Sequence, residues 1–285
     1  MLSLFRKKQT QESGCGLNIT NFANPGDSVL RIASRGVLYS SENSGVIDAL
    51  GYMLSGIRRL PVVDENERLT GIVSTTDVLD FIGGGEKHKL FSNTGLSAKV
   101  RKIMSPCIHF VSATDSIPVA LEIFKESGKP IQPVMEDKKL VGVITETDIV
   151  NLMSKRTGVK VSDIMTRKPI TVDRNKSVYD VARMLCRGPY RRLPVVNNGV
   201  LLGIVTPYDI LSHLNSKEAL NMLRFENSPI KEIMRKDVAY IRPDADIYEA
   251  VAMMKIKKVS GLPVVDEDAD LLGMITKRDI INAMG

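Results

Sequence analysis

Apolar residues along this chain follow one pattern four times. Each copy carries a stretch with apolar residues at i, i+3, i+4 and i+7, then two β-rich runs, then a shorter helical stretch. Val46, Ala49, Leu50 and Met53 form the first stripe, and Ile117, Ala120, Leu121 and Phe124 the second. Val178, Val181, Ala182 and Leu185 form the third, and Ile247, Ala250, Val251 and Met254 the fourth. Such spacing marks one buried face of a helix. Ser116, Ser177 and Asp246 stand before three of these stripes as N-cap candidates. In the third copy "PITV" (169–172) predicts a short strand before the helix. "LPVVN" and "LLGIVT" predict two strands joined by a tight turn at Asn198-Gly199. Ile210, Leu211 and Leu214 share one face of the closing helix. The predicted unit is β-α-β-β-α, and the fold class is α/β (α+β).

The copies also match in letters. "GIVSTTD" (71–77) recurs as "GVITETD" (142–148), "GIVTPYD" (203–209) and "GMITKRD" (273–279). A proline in an apolar setting precedes each, in "LPVVD", "QPVME", "LPVVN" and "LPVVD". Upstream, "VRKIM" (100–104), "VSDIM" (161–165) and "IKEIM" (230–234) match, with a degraded "VLRIA" (29–33) in the first copy. The first and third motif glycines are 132 residues apart and the second and fourth 131. Arginine pairs occur in the first and third copies only, as Arg58-Arg59 and Arg191-Arg192. A two-repeat unit has been doubled. The chain divides into a tail (1–18), repeats at 19–83, 100–155, 156–215 and 230–285, and connectors at 84–99 and 216–229.

Two readings of the S/T-x-x-D box stand side by side. Ser74, Thr145, Thr206 and Thr276, each three residues before Asp77, Asp148, Asp209 or Asp279, have the signature of a helix N-terminus. Pro207 at the first helical position agrees. The same geometry offers N–H groups and a hydroxyl to a phosphate, and a carboxylate to a ribose diol. The arginine pairs are likewise either a solvated strand edge or planar forks suited to phosphate oxygens.

The I-M opening, the h-P-V-V strand and the G-h-h-[ST]-x-x-D box, in that order four times, resemble tandem cystathionine-β-synthase (CBS) domains. Four-repeat chains of this kind are similar to the γ subunit of AMP-activated protein kinase and its archaeal relatives. The resemblance implies two pseudo-twofold Bateman modules packed as a disc, binding adenosine compounds in clefts between paired repeats. It implies that Asp77, Asp148, Asp209 and Asp279 hold ribose hydroxyls. Ser74, Thr145, Thr206 and Thr276, with Arg58, Arg59, Arg191, Arg192 and Arg278, would contact phosphate. Leu38, His109, Ile170 and Ala239 would lie against adenine. Repeats 2 and 4 depart from the pattern: Gln132 replaces the leucine, and Ser260-Gly261 replaces the arginines. The implied function is that of a regulatory sensor of AMP, ADP or ATP, with no covalent cofactor and no metal. It would report to a regulated protein not identifiable from sequence, with a homodimer through the discs as a further association. S-adenosylmethionine is the alternative adenosine ligand.

Composition narrows the other classes. The 285 residues, 43% hydrophobic and 25% charged, are those of a globular protein. No apolar run reaches the roughly 20 residues of a membrane helix, and a cytoplasmic location is expected. Cys15, Cys107 and Cys186 suggest neither a disulfide framework nor a zinc site. His88, His109 and His213 are scattered, and no phosphate-loop lysine motif exists, so an enzyme is not expected. The net charge of +6 favours anionic partners. With no Trp and 5% aromatics, a stacking platform for nucleic acid is not expected, and a basic nucleic-acid-binding protein ranks behind the sensor.

Overall fold

A computed structural model of the chain describes residues 17–24, 26–84, 95–217 and 227–285. Nearly all of the tail, most of both connectors, Cys15 and His88 lie outside the described residues.

Each repeat is built on an antiparallel hairpin. The first has β1 (Ser40–Ser41), α1 (Val46–Leu54), β2 (Arg59–Val63), β3 (Leu69–Ser74) and α2 (Thr75–Leu79). The second has β4 (Ser105–Pro106), β5 (Val111–Ser112), α3 (Ile117–Ser127), β6 (Ile131–Glu136), β7 (Lys139–Thr145) and α4 (Glu146–Val150). The third has α5 (Val161–Ile164), β8 (Thr166–Arg167), β9 (Val172–Asp173), α6 (Val178–Arg187), β10 (Leu193–Asn197), β11 (Val200–Val205) and α7 (Pro207–Ser216). The fourth has α8 (Ile247–Ile256), β12 (Gly261–Val265), β13 (Leu271–Thr276) and α9 (Lys277–Ala283).

The predicted helix stripes are the buried faces. All four residues of the third stripe have no solvent exposure, and Ser177 caps α6 by accepting from the Asp180 N–H at 3.1 Å. Asn198 (φ 50°) and Gly199 (φ 89°) both take the left-handed backbone of a type I′ hairpin turn, as their residue types require. The predicted "PITV" strand is shorter than expected. Only Val172–Asp173 forms a ladder, parallel to Val195–Val196 of β10, so residues 169–171 have no strand partner and Ile170 is exposed.

Neighbouring repeats exchange their opening segments. β4, at the start of the second repeat, pairs with β3 of the first, placing Ser105 opposite Ile72. In return, Ser34 of the first repeat bridges Val143 of β7. The second half repeats the exchange: β8 pairs with β13 (Thr166 opposite Met274), and Arg235 bridges Ile204 of β11. The exchange explains two motif positions at once. A Cβ on Gly203 would sit 2.7 Å from both the Arg235 carbonyl oxygen and the Met234 sulfur. Gly71 faces Met104, and Gly273 faces Met165, in the same way. The motif glycine of one repeat thus receives the I-M opening of its partner. Opposite Gly142 stands Ala33, the degraded position of the first repeat.

The two exchanged pairs then share cores. One joins repeats 1 and 3, with Leu50, Met53, Leu79, Leu185 and Leu211 in a single cluster. The other joins repeats 2 and 4, with Phe124, Ile149, Met254 and Ile281. Fully burying each such side chain is worth about 1.5–3 kcal/mol, so the pairs pack as one body. α2 lies against α7 and α4 against α9. All four S/T-x-x-D boxes are therefore drawn toward one centre.

Candidate functional site

All four boxes are helix caps by geometry. Asp77, Asp148, Asp209 and Asp279 each place Oδ2 against the backbone N–H of their Ser or Thr, at 2.9, 2.7, 2.8 and 2.7 Å. The hydroxyls of Ser74, Thr145, Thr206 and Thr276 donate to the same oxygen at 2.6 Å. One carboxylate oxygen is committed to the cap, leaving Oδ1 to face the exchanged opening segment. Ser105 Oγ lies 3.5 Å from Asp77 Oδ1 and Thr166 Oγ1 lies 3.2 Å from Asp279 Oδ1. At Asp209 the place is taken by Arg235, whose Nε donates to Oδ1 at 2.6 Å. Aspartate suits this position because its short stem reaches back to the cap and still presents a second oxygen outward.

The centre is a cluster of cations around the buried Glu146, with Asp77, Asp148 and Asp279 acting on Arg59, Lys277 and Arg192 from the boxes. Glu146, at the first helical position of α4, is 5% exposed. Arg278 approaches it at 2.6 Å and Arg191 at 3.8 Å. Arg59, Arg192 and Lys277 also feel its field. Burial first, and then the neighbouring Arg191, push Arg59 and Arg192 down to about 10 against the opposing field of Glu146. Arg191 and Lys277 are also shifted down, first by burial and then by Arg278 and Arg192 respectively, with Glu146 opposing both. The stem of Arg192 keeps some solvent contact, but its Nη1 is enclosed and has no hydrogen-bond partner. Like charges held this close, with one partly buried, need an anion.

These side chains cross between repeats. Arg192 of repeat 3 donates to Ser260 Oγ of repeat 4, and a Cβ on Gly261 would overlap its Nη1 at 1.9 Å. Ser260-Gly261 thus makes room for the third repeat's arginine. Lys277 Nζ donates to Thr147 Oγ1 at 2.8 Å. Arg278 donates to the Phe124 and Lys129 carbonyls at 2.6 and 2.7 Å, which ties repeat 4 to repeat 2. On the opposite side the Arg58 guanidinium lies over the Tyr208 ring at 4.2 Å.

A family model of the CBS domain matches residues 29–84, 100–155, 161–216 and 230–285. The chain belongs to the CBS domain family. The uncharacterized protein MJ1225 of Methanocaldococcus jannaschii is 31% identical over 241 residues, covering 79% of this chain and 86% of that protein. The crystal structure of MJ1225, described as a candidate archaeal homolog of g-AMPK, superposes with a TM-score of 0.82 at 29% identity. It covers 90% of this chain and 99% of that one. A 33.4 kDa protein from the ribosomal RNA operon of Thermofilum pendens is 30% identical over 263 residues, covering 85% of this chain and 86% of its own. A protein from Pyrococcus horikoshii, 22% identical with a TM-score of 0.62 over 90% of this chain and 98% of its own, shares the fold. The four CBS repeats form two Bateman modules, repeats 1–2 and 3–4.

Within each module the exchange decides which first strand meets which box. His109 follows Ser105, which stands beside Asp77, and Leu38 follows Ser34, paired beside Val143 in the repeat of Asp148. Ile170 follows Thr166 beside Asp279, and Ala239 follows Arg235 beside Asp209. Leu38 and Ile170 are 54% and 46% exposed, apolar side chains left open to solvent. Arg59, Arg191, Arg192 and Arg278 meet at the centre, Arg278 being bonded to repeat 2 as well, while Arg58 stacks on Tyr208 within the field of Arg192. Glu146, Lys277, Tyr208 and Arg235 escaped sequence reading. The first three occupy the variable letters of the boxes "TETD", "TKRD" and "TPYD", and Arg235 directly follows "IKEIM". A charged letter inside a four-fold repeated box is the signal that could have found Glu146 and Lys277. Among the described residues no cluster of His, Cys, Asp or Glu could hold a metal, and no helix is long and apolar enough to cross a membrane.

Proposed function

We propose that this chain is a regulatory module that binds adenosine nucleotides at its CBS clefts, with ribose at the box aspartates and phosphates at the central cations. The observation that carries this is the cluster of Arg59, Arg191, Arg192, Lys277 and Arg278 around the buried carboxylate of Glu146, with Asp77, Asp148 and Asp279 acting on it from the boxes. A phosphate supplies the missing negative charge and accepts from the partnerless Arg192 Nη1. Asp77, Asp148 and Asp279 present Oδ1 to a ribose diol, and the exposed apolar residues Leu38 and Ile170 cover an adenine. Phosphate also draws the Ser74, Thr145 and Thr276 hydroxyls away from their aspartates. The cation excess favours AMP, ADP or ATP over S-adenosylmethionine, whose sulfonium it repels. Drawn from three repeats around Glu146, it is a compact cluster and not the extended basic face a polymeric nucleic acid needs.

The same cations hold the two modules together through Glu146 and Thr147. A ligand phosphate competes with those contacts, so it binds one packing of the modules better than another. That difference is what a partner protein reads. Calorimetric titration with AMP, ADP, ATP and S-adenosylmethionine tests the reading. A phosphorylated adenosine gives heat, and Asp279→Ala weakens it at least tenfold. No heat with any of the four sinks the proposal, and unchanged affinity in Asp279→Ala returns the aspartate to a cap alone.

A further inference from the structure

The four clefts are not equivalent. The position opposite the residue after each motif glycine is Ser34, Ser105, Thr166 and Arg235, facing Val143, Ile72, Met274 and Ile204 respectively. Three of these side chains are small hydroxyls. The fourth is a guanidinium that donates to Asp209 Oδ1 at 2.6 Å, while Asp209 Oδ2 accepts from the Thr206 N–H and hydroxyl at 2.8 and 2.6 Å. Both oxygens of Asp209 are therefore engaged, and the residue is 8% exposed. The guanidinium is steadied further by the Tyr208 ring, 5.6 Å below it, whose nearer neighbour is Arg58 at 4.2 Å.

We infer that Arg235 is the chain's own occupant of the third cleft and closes Asp209 to a ribose, resting on the reading of the box aspartates as ribose acceptors given above. The guanidinium gives Asp209 an opposite charge as well as a short hydrogen bond. A ribose diol has only neutral hydroxyls to offer in exchange. Displacing Arg235 also leaves its charge beside Arg58, whose own basicity burial and Arg235 already depress. Thr166 imposes neither penalty on a ligand at Asp279. Arg235 is thus a specificity-determining residue: it sets how many adenosine ligands the four repeats accept.

Equilibrium dialysis with AMP counts the sites. The wild-type chain binds at most three AMP molecules. Arg235→Ser, which installs the residue found at 105, gains one site. Ser105→Arg, which copies the plug into the first cleft, loses one. Four AMP molecules on the wild type, no gain in Arg235→Ser, or no loss in Ser105→Arg overturns the inference while leaving nucleotide binding intact. No AMP on any of the three proteins overturns the reading of the aspartates, and the inference falls with it. If Arg235→Ser fails to fold, the wild-type count and Ser105→Arg still decide.

Discussion

Replacing Arg192 by methionine should make the ligand-free protein more stable while removing its response to nucleotide. Burial, and then Arg191, push the Arg192 guanidinium from its ordinary value down to about 10. Unfolded, the group titrates near its higher ordinary value, so above about pH 10 the folded chain binds fewer protons and stability rises with pH. At neutral pH both states are charged and the folded one bears the whole penalty, at most roughly 3 kcal/mol. Solvent along the stem and the bond to Ser260 Oγ reduce it; we set the net gain on removal at about 1–2 kcal/mol. Methionine fills the space with a flexible apolar stem. For a chain this long each kcal/mol moves the melting temperature by about 2–4 °C, so Arg192→Met should melt about 2–8 °C higher. AMP at a hundred times its dissociation constant adds about 2.7 kcal/mol to the wild type, and that increment should vanish in the variant. Differential scanning calorimetry with and without AMP measures both. A variant destabilised by more than about 1 kcal/mol, or one that keeps the full AMP shift, refutes the reasoning.

Other residues give separate tests. Gly203→Ala places a Cβ 2.7 Å from the Arg235 carbonyl and should cost about 1–3 kcal/mol in urea unfolding, through overpacking of the exchanged strand. Arg278→Ala leaves the buried Glu146 without its nearest partner and cuts two carbonyl bonds to repeat 2. It should cost about 3 kcal/mol by the same measurement. Asp246 accepts from the N–H groups of Tyr248, Gly158 and Thr157, tying the junction between modules to α8. Burial works against its charge, but these bonds outweigh it and hold its carboxyl below the ordinary 3.8. A lowered carboxylate contributes stability above its unfolded value and loses it as pH falls through the folded one. Asp246→Ala should therefore cost about 1–2 kcal/mol at pH 7, with the gap to wild type closing as the pH drops below 3.8.

Much of the fold was legible because each repeat states its pattern independently. Helix stripes such as Val178, Val181, Ala182 and Leu185, and the Asn198-Gly199 turn, follow from local spacing and backbone preference. The exchange of opening segments was not legible. "IKEIM" and Gly203 carry its signature, but nothing in either says which repeat the methionine will meet. The strand at "PITV" was over-read for a related reason. β-propensity marks residues fit for a ladder, while only Val172 and Asp173 find a partner. At the site, the aspartates and Ser/Thr residues were found, yet cap and ligand roles use the same atoms, and the letters do not separate them. Glu146 and Lys277 were passed over because charged first-turn residues are ordinary on a solvated helix. Only the packing of α4 against α9 buries them. Ser260-Gly261 looked like a missing arginine pair, and became the space into which Arg192 reaches.

The most direct test is the crystal structure of the chain grown with AMP. The account predicts ribose hydroxyls on Oδ1 of Asp279 or Asp77, and a phosphate within hydrogen-bond distance of Arg59 or Arg192. An AMP bound away from the boxes, or one whose phosphate points to solvent with the central cations still gathered on Glu146, contradicts it.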